Sequence, residues 1–262
     1  MLDRFDHVVL GVADIAEATK AFQRAGFDVL DRKDPPGASE GRFVRFRDGS
    51  SIELLTFHSP SPHRFQKRFA SGPGWIDYAV NARDLEPAEK ALAEISSAAP
   101  FRRTVGKKMA DGNEWGLELS EPSVSLGEPV LPFLTRDLTP PHWRVAALPS
   151  NVEQPFGISG IAGVTVVTRQ LSASEPPMRA LFGAPQEISS RHGAGTTSLL
   201  FRFGENWVEL VEARDPQTEI GKNLGARGAG LYDVSLRGMD QPQPLEVGAL
   251  FGACLRVESA RH

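Results

Sequence analysis

The residues of this chain whose type and placement suggest chemistry are carboxylates inside apolar strands. Glu53 lies between Ile52 and Leu54, and Glu209 occupies the matching place in a second segment 156 positions later. A carboxylate is rarely buried without a partner, because removing an isolated charge from water is costly. Strand alternation offers the opposite interpretation, in which the carboxylates face solvent and their apolar neighbours are buried. The sequence leaves both interpretations open.

These matching places belong to a repeat that runs through the whole chain. Residues 43–55 return as residues 200–211, and Asp77 returns as Asp233, again 156 positions later. A shorter period of 70 positions relates the two parts of the first half. Four related units of roughly 60 to 75 residues therefore account for most of the chain, and each half contains two of them.

Each unit is predicted to be a strand, a helix and three further strands. Residues 5–12 are rich in valine and leucine and predict the first strand. Asp14 followed by Glu17 has the pattern of a capping box at a helix start, and Gly26 is typical of a helix end. The dipeptide Asp48-Gly49 between apolar runs indicates a hairpin.

The unit pattern also predicts the domain boundaries. The second unit has its own turn at Asp111-Gly112, the third begins near Ile161, and the fourth begins near Leu231. Too few residues follow Leu231 for a whole unit, so the fourth is predicted to be truncated. We therefore predict two halves, residues 1–148 and 149–262, of an α+β protein built from tandem βαβββ modules.

A strand-helix-three-strand unit cannot close a sheet alone, but two units side by side make an eight-stranded open barrel around a cleft. This arrangement resembles the vicinal oxygen chelate superfamily, which includes glyoxalase I, extradiol dioxygenases, epimerases and antibiotic-resistance proteins. The chain is most similar to the glyoxalase-like group of that superfamily. The residues that carry the resemblance are residues 5–12 (FDHVVLGV), 52–55 (IELL), 111–115 (DGNEW) and 131–134 (LPFL).

The resemblance implies a divalent metal held by side chains of the first and last strands of the paired units. The matching positions are His7, Glu53 and Asp77, whereas Pro132 stands where a fourth ligand is expected and has no donor side chain. Imidazole and carboxylate groups suit zinc, manganese, nickel or iron, with positions left open for substrate and water. In the second half Gly163 stands at the histidine position, so no tight metal is expected there.

With such a metal, the resemblance implies proton chemistry on a small oxygenated molecule. A divalent ion polarises a carbonyl or enediolate oxygen and makes the neighbouring carbon easier to deprotonate. Glu53 is the predicted base, alternating between metal ligand and proton acceptor. We therefore predict an isomerase, epimerase or lyase reaction on a carbonyl or hydroxy compound.

Two other functions remain open at this point. Extradiol ring cleavage generally needs iron held by two histidines and a carboxylate, and Asp77 stands where the second histidine would be expected. Members of the superfamily also sequester small molecules in the same cleft without a metal, which agrees with the missing donors at Pro132 and Gly163. Metal content and the effect of His7→Ala on ligand affinity distinguish the enzyme from the binding protein.

Two further residues are predicted to contact a small-molecule substrate. Trp115 lies in a strand of the second unit, where it could line the cleft, although a strand tryptophan also suits a core. His192 lies in residues 191–196 (RHGAGT), a loop similar to a His-Gly-Thr loop of family relatives. His58 and His63 lie in a loop rich in serine and proline, which favours only weak adventitious metal binding.

Composition and charge argue against several classes of function. The formal net charge is −4 and there is no basic stripe, so binding to nucleic acid is not expected. No apolar run has the length of a membrane span, and charged residues near the start argue against a signal peptide, which predicts a cytoplasmic protein. The single cysteine, Cys254, excludes a disulfide within this chain. The truncated fourth unit predicts an exposed sheet edge, and hence a homodimer in which a second copy covers it.

Overall fold

Two curled β-sheets, one from each half of the chain, form the framework of the protein. The computed structural model describes residues 2–31, 37–60, 65–96, 99–109, 112–188, 192–193, 195–238 and 243–259. The predicted turn residue Asp111 and the loop residue His63 lie outside these ranges.

The first sheet contains the strands β1 (Leu2–Gly11), β2 (Leu30–Asp31), β3 (Ser39–Arg45), β4 (Ser51–Phe57), β5 (Gly74–Ala82), β6 (Phe101–Lys108), β7 (Glu114–Glu121) and β8 (Phe133–Asp137). They lie in the order β2-β3-β4-β1-β5-β8-β7-β6. The strands β1 and β5 pair antiparallel at the centre, and each has a parallel neighbour from its own module, β4 and β8 respectively. This pairing of two modules in one eight-stranded sheet confirms the predicted fold class.

The second sheet contains β9 (Gly160–Thr168), β10 (Gln186–Ile188), β11 (Thr196–Phe203), β12 (Asn206–Ala213), β13 (Gly230–Gly238), β14 (Gln243–Pro244) and β15 (Cys254–Ser259). Its order, β10-β11-β12-β9-β13-β15-β14, repeats the pattern of the first sheet with seven strands. The truncated fourth module thus supplies three of these strands. The edge strand β14 has only two residues, and the homodimer predicted at this edge stays a prediction.

The helices connect the strands and pack against the sheets. They are α1 (Ile15–Arg24), α2 (Gln66–Phe69), α3 (Glu86–Ile95), α4 (Pro141–Arg144), α5 (Leu171–Phe182), α6 (Glu219–Arg227) and α7 (Glu246–Ala249). Within the described ranges, none of these helices is long and apolar enough to cross a membrane.

Local signals in the sequence account for the elements around the first strand. Asp14 caps α1, because its side chain accepts hydrogen bonds from the backbone N–H groups of Ala16 and Glu17. The chain leaves the helix through Gly26, whose positive φ of 89° suits glycine. The Asp48-Gly49 turn closes the β3–β4 hairpin, as predicted, with Gly49 at φ 88°.

The two halves share one apolar core. The ring of Phe5 meets that of Phe203 edge to face, with centroids 5.1 Å apart, and so joins β1 to β11. The indole Nε1 of Trp75 donates to the carbonyl oxygen of Cys254 at 2.8 Å. The predicted boundary after residue 148 falls in the connection between β8 and β9. It therefore separates the sheets but does not divide the core.

Candidate functional site

A cavity of about 250 Å³ lies against the face of the first sheet opposite to the one that α1 covers. His7 of β1 and Glu53 of β4 both reach its wall. Much of the remaining wall is aromatic, with side chains from five different segments of the first half, namely Phe43, Phe57, Phe65, Trp115 and Phe133. The cavity therefore combines a small polar centre with an apolar surround, as small-molecule sites commonly do.

An irregularity in β1 sets the orientation of His7. Neighbouring strand residues normally point to opposite faces, but the β1–β5 register shifts between Phe5 and His7. As a result, His7 Nδ1 lies 2.8 Å from Asp6 Oδ2. An ionised carboxylate can only accept a hydrogen bond, so Nδ1 carries the hydrogen. His7 Nε2 then faces Glu53, whose Oε2 lies 3.6 Å away.

Asp6 is in turn held by Arg144, which follows the first sheet in the chain. Arg144 Nη2 donates to Asp6 Oδ1 at 2.9 Å and to Asp137 Oδ1 at 3.1 Å, and all three side chains are largely buried. Burial alone would raise the pKa of Asp6, but the charge of Arg144 and the hydrogen bond with His7 outweigh it. The pKa of Asp6 is therefore well below its usual value. Asp6 consequently stays ionised and keeps His7 in one orientation.

Asp6 should make the stability of the protein depend on pH. Because its pKa is lowered in the folded state, its contribution is complete above the unfolded-state pKa and is lost as the pH falls. We expect the difference in unfolding free energy between wild type and Asp6→Asn to be constant above about pH 5 and to shrink below about pH 4, measured by urea denaturation. The exposed Asp31→Asn should differ little from wild type at any pH. A difference for Asp6→Asn that persists unchanged to about pH 3 would contradict the assignment.

Glu53 is buried despite its charge. It lies in an interior strand, where it pairs with Val9 of β1 on one side and with Phe43 of β3 on the other. Its exposed fraction is 7%, while Ile52 and Leu54 are buried on the opposite face. The solvent-facing interpretation of Glu53 is therefore wrong. Both faces of β4 are covered, one by the core under α1 and the other by the cavity wall.

Asp77 does not join His7 and Glu53. Its side chain lines a different cavity, between the two halves. In the β1–β5 ladder Asp77 pairs with Val9, and Ala79 is the residue paired with His7. The alignment of Asp77 with His7 along the sequence therefore does not correspond to a grouping in space.

The donor set of the first cavity does not fit a tightly held metal ion. His7 and Glu53 could supply two ligands, whereas protein metal sites of the expected kinds usually have three or four. Ala79 and Phe133, which lack donor atoms, pair with each other beside His7. In the described part of the chain, no three His, Cys, Asp or Glu side chains are grouped so that they could hold an ion. The ligand set predicted at His7, Glu53 and Asp77 is thus not assembled.

Trp115 of β7 lines the cavity that contains His7, as the predicted substrate contact requires. Its Nε1–H group is buried, and no residue described in the structure accepts a hydrogen bond from it. A buried donor without an acceptor is costly, so such groups in cavity walls often have a ligand or water as their partner. The role of Trp115 in binding a substrate stays a prediction.

The second half has its own pair of imidazole and carboxylate, assembled differently. Glu209 Oε2 accepts a hydrogen bond from Thr165 Oγ1 at 3.1 Å and lies 3.4 Å from His192 Nε2. The ring of Tyr232 contacts the imidazole edge to face, with centroids 5.6 Å apart. His192 belongs to the segment before β11, not to the first strand of the half. It does not line the cavity of Trp115, so the structure does not bring these two predicted substrate contacts together in one wall.

Trp207 explains why the histidine position of the second half is a glycine. Gly163 pairs with Trp207 in the β12–β9 ladder. The indole ring of Trp207 occupies the space that any side chain at position 163 would need. The volume that an imidazole fills in the first half is thus filled here by an aromatic ring from the neighbouring strand.

Two residues of the first site, Asp6 and Arg144, could not be assigned a role from the sequence. Asp6 directly precedes His7, and this adjacency was the available signal. Strand alternation argues against a contact between them, however, because it places consecutive side chains on opposite faces. Arg144 is separated from His7 by almost the whole first half, and no pattern connects the two.

Comparison with a family model identifies the class of protein that this fold and site define. The model described as a glyoxalase-like domain matches residues 5–182. The chain therefore belongs to the glyoxalase-like domain family, which confirms the resemblance seen in the sequence. The match continues past the predicted boundary into β9 and α5. No curated protein sequence matches the chain.

Solved structures show the same fold over nearly the whole chain. A hypothetical protein from Staphylococcus aureus is similar over 99% of this chain and 100% of its own, with a TM-score of 0.67 and 12% identity. A mutant of 4-hydroxymandelate synthase from Streptomyces coelicolor is similar over 92% of this chain and 72% of its own, with a TM-score of 0.64 and 15% identity. A xylose isomerase-like TIM barrel/4-hydroxyphenylpyruvate dioxygenase fusion protein is similar over 92% of this chain and 37% of its own, with a TM-score of 0.58 and 15% identity. At these identities the similarity shows the fold alone.

Proposed function

We propose that the chain is an enzyme that moves a proton on a small oxygenated molecule, in an isomerase, epimerase or lyase reaction. The observation that carries this proposal is the close pair of His7 Nε2 and Glu53 Oε2, 3.6 Å apart in the wall of a cavity. Two groups that can each hold a proton, fixed in the wall of a cavity, are what proton transfer to and from carbon requires.

Some residues of the site orient the imidazole of His7, and others transfer the proton. Asp6 accepts the Nδ1–H of His7 and is itself fixed by Arg144, so it positions the imidazole without touching the substrate. Glu53 takes a proton from the carbon beside a carbonyl group, and His7 Nε2 returns one to the same or the neighbouring carbon. Return to the same carbon gives epimerisation, and return to the neighbouring atom gives isomerisation.

The remaining wall provides recognition. A cavity of about 250 Å³ suits a molecule smaller than most drug-sized ligands. Its aromatic surround would pack against the apolar part of the substrate and exclude water. The Nε1–H of Trp115 is a donor for the substrate oxygen, whose developing charge it would stabilise.

Exchange of hydrogen with solvent tests the proposal without a known substrate. We expect the protein in D2O to introduce deuterium beside the carbonyl group of at least one aldehyde or hydroxy-ketone, detected by NMR. Glu53→Gln and His7→Ala should each slow this exchange by about a hundredfold or more. Glu209→Gln, the equivalent change in the second half, is the matched control and should leave the exchange nearly unchanged. Exchange that depends on Glu209 and not on Glu53 would contradict the proposal.

Metal dependence is a separate proposal with its own test. His7 and Glu53 are the two ligands that a zinc, manganese, nickel or iron ion would use in the first half. Elemental analysis of protein purified without chelator would support a metal-dependent reaction if about one ion per chain is found and both His7→Ala and Glu53→Ala abolish it. Exchange activity that survives removal of metal by a chelator would favour the proton transfer described above.

A binding protein without catalysis is the second candidate, and the aromatic wall favours it. An apolar molecule could pack against rings such as Phe57, Phe65 and Phe133, whose contribution does not depend on the charged pair. In that case the screened compounds would bind, no deuterium would be introduced, and Glu53→Gln would leave ligand affinity nearly intact.

A further inference from the structure

A second cavity, of about 750 Å³, lies between the two halves. Its wall comes from the start of β5, the segment before β8, and the end of α6 with the residues that follow. It contains Asp77, which the sequence had assigned to the first site, and it shares only Glu121 with the cavity of His7. Neither the family resemblance nor the proposed function gives this space a role.

Two arginines in this wall reach across the boundary in opposite directions. Arg68 of the first half donates to the carbonyl oxygens of Ala229 and Leu231 in the second half. Arg227 of the second half donates to the carbonyl oxygen of Pro73 in the first half at 2.7 Å. Gly74 and Gly230, which occupy matching places in the repeated segments, leave room for the two arginine side chains. A Cβ at Gly230 would collide with the guanidinium of Arg68, and one at Gly74 would lie 3.0 Å from that of Arg227.

Backbone carbonyl groups, and not carboxylates, accept the hydrogen bonds of these two arginines. Within the part of the chain that the structure describes, all their hydrogen-bond acceptors are backbone carbonyls and neither forms an ion pair. Burial and the neighbouring charge of Arg227 lower the pKa of Arg68 to about 10. The other arginine of the wall, Arg169, is paired with Glu128 at 2.7 Å. The wall contains two further carboxylates, Glu121 and Glu128, which are paired with Arg103 and Arg169. Asp77 is thus the carboxylate of the wall that offsets the charges of Arg68 and Arg227.

Hydrogen-bonding capacity also remains. A guanidinium has five N–H donors. Arg68 uses three of them, one each to Trp75, Ala229 and Leu231. Other residues of the wall are apolar, including Ile76, Leu126 and Leu131. The cavity thus offers both cationic donors and an apolar surface.

We propose that this cavity binds a small molecule with an anionic head group, a phosphate or a carboxylate, and an apolar body. The guanidinium groups of Arg68 and Arg227 hold the head group, because charge-assisted hydrogen bonds from arginine suit both oxyanions. The apolar residues contact the body. Since the two arginines come from different halves, the ligand ties the halves together.

Titration calorimetry on the full chain with inorganic phosphate and with benzoate tests the proposal and separates the two head groups. We expect at least one of them to bind once per chain. Asp77→Asn removes a negative charge from the wall while keeping an oxygen acceptor for Tyr78 N, and should strengthen binding by about threefold or more. Arg68→Gln should weaken binding by about tenfold. Arg169 lines the same cavity, but its charge is already paired with Glu128. Arg169→Gln therefore serves as the matched control.

The outcomes also separate this site from the first one. If neither anion binds, or if Asp77→Asn leaves the affinity unchanged, the proposal is wrong even where Arg68→Gln has an effect, because loss of Arg68 alone could act by loosening the halves. Glu53→Gln should bind the anions like wild type. An affinity that responds to Glu53→Gln and not to Asp77→Asn would place the anion in the first cavity and overturn the proposal.

Discussion

Arg144→Ala is expected to lower the free energy of unfolding by about 3 to 5 kcal/mol, because it leaves buried carboxylates without their counter-charge. Asp6 and Asp137 are 1% and 11% exposed, and Arg144 contacts both. Among the residues that the structure describes, His7 would remain as the hydrogen-bond partner of Asp6. The loss exceeds that of an ordinary ion pair because the penalty for burying the carboxylates remains after the attraction has gone.

Urea denaturation of the wild type and the variant measures this loss. Arg136→Ala is the matched control, since Arg136 forms a similar pair with Glu118 near the surface and is 40% exposed. We expect that control to cost no more than about 1 kcal/mol. Equal effects of the two substitutions would mean that Asp6 and Asp137 find other partners. Arg144→Ala should also release His7 from its fixed orientation. The variant should therefore introduce deuterium more slowly than the wild type does.

Phe5→Ala is expected to cost about 3 to 5 kcal/mol by leaving a cavity in the core. Phe5 is fully buried and packs against Tyr78 of its own sheet and Phe203 of the other. The substitution therefore removes contacts on both sides of the boundary between the halves. A single cooperative transition that moves to lower urea concentration is the expected result.

Phe101→Ala provides the comparison, because Phe101 lies in β6 and is 63% exposed. It should change the unfolding free energy by no more than about 0.5 kcal/mol. A small effect of Phe5→Ala, or a transition that splits into two, would contradict a shared core. The second outcome would show instead that each half folds around its own sheet.

The fold was predictable from the sequence because the signals that define it are local or repeated. Asp14 and Gly26 mark the ends of the first helix, and Asp48-Gly49 marks the hairpin that brings Glu53 beside β1. The repeat then predicts that the same unit recurs. Each of these signals acts over a few residues, so the rest of the chain does not override it.

The site was predictable only in part, for two physical reasons. The family resemblance placed His7 and Glu53 at one site, and their strands β1 and β4 are neighbours within one module. Asp77 stands where the repeat matches His7, but its side chain lines the cavity between the halves. A repeat shows which strand positions correspond, and not which cavity a side chain reaches. The role of Arg144 depends on a contact between distant segments, which no local pattern encodes.

The indole of Trp207 over Gly163 makes the divergence of the two halves hard to reverse. A histidine at position 163 would collide with the ring, and a smaller residue at position 207 without that histidine would leave a void in a packed sheet face. Both changes would have to occur together, since each alone is unfavourable. The second half, which has no histidine at this strand position, can therefore acquire a new function from loop residues such as His192. No single substitution in it restores the arrangement of the first half.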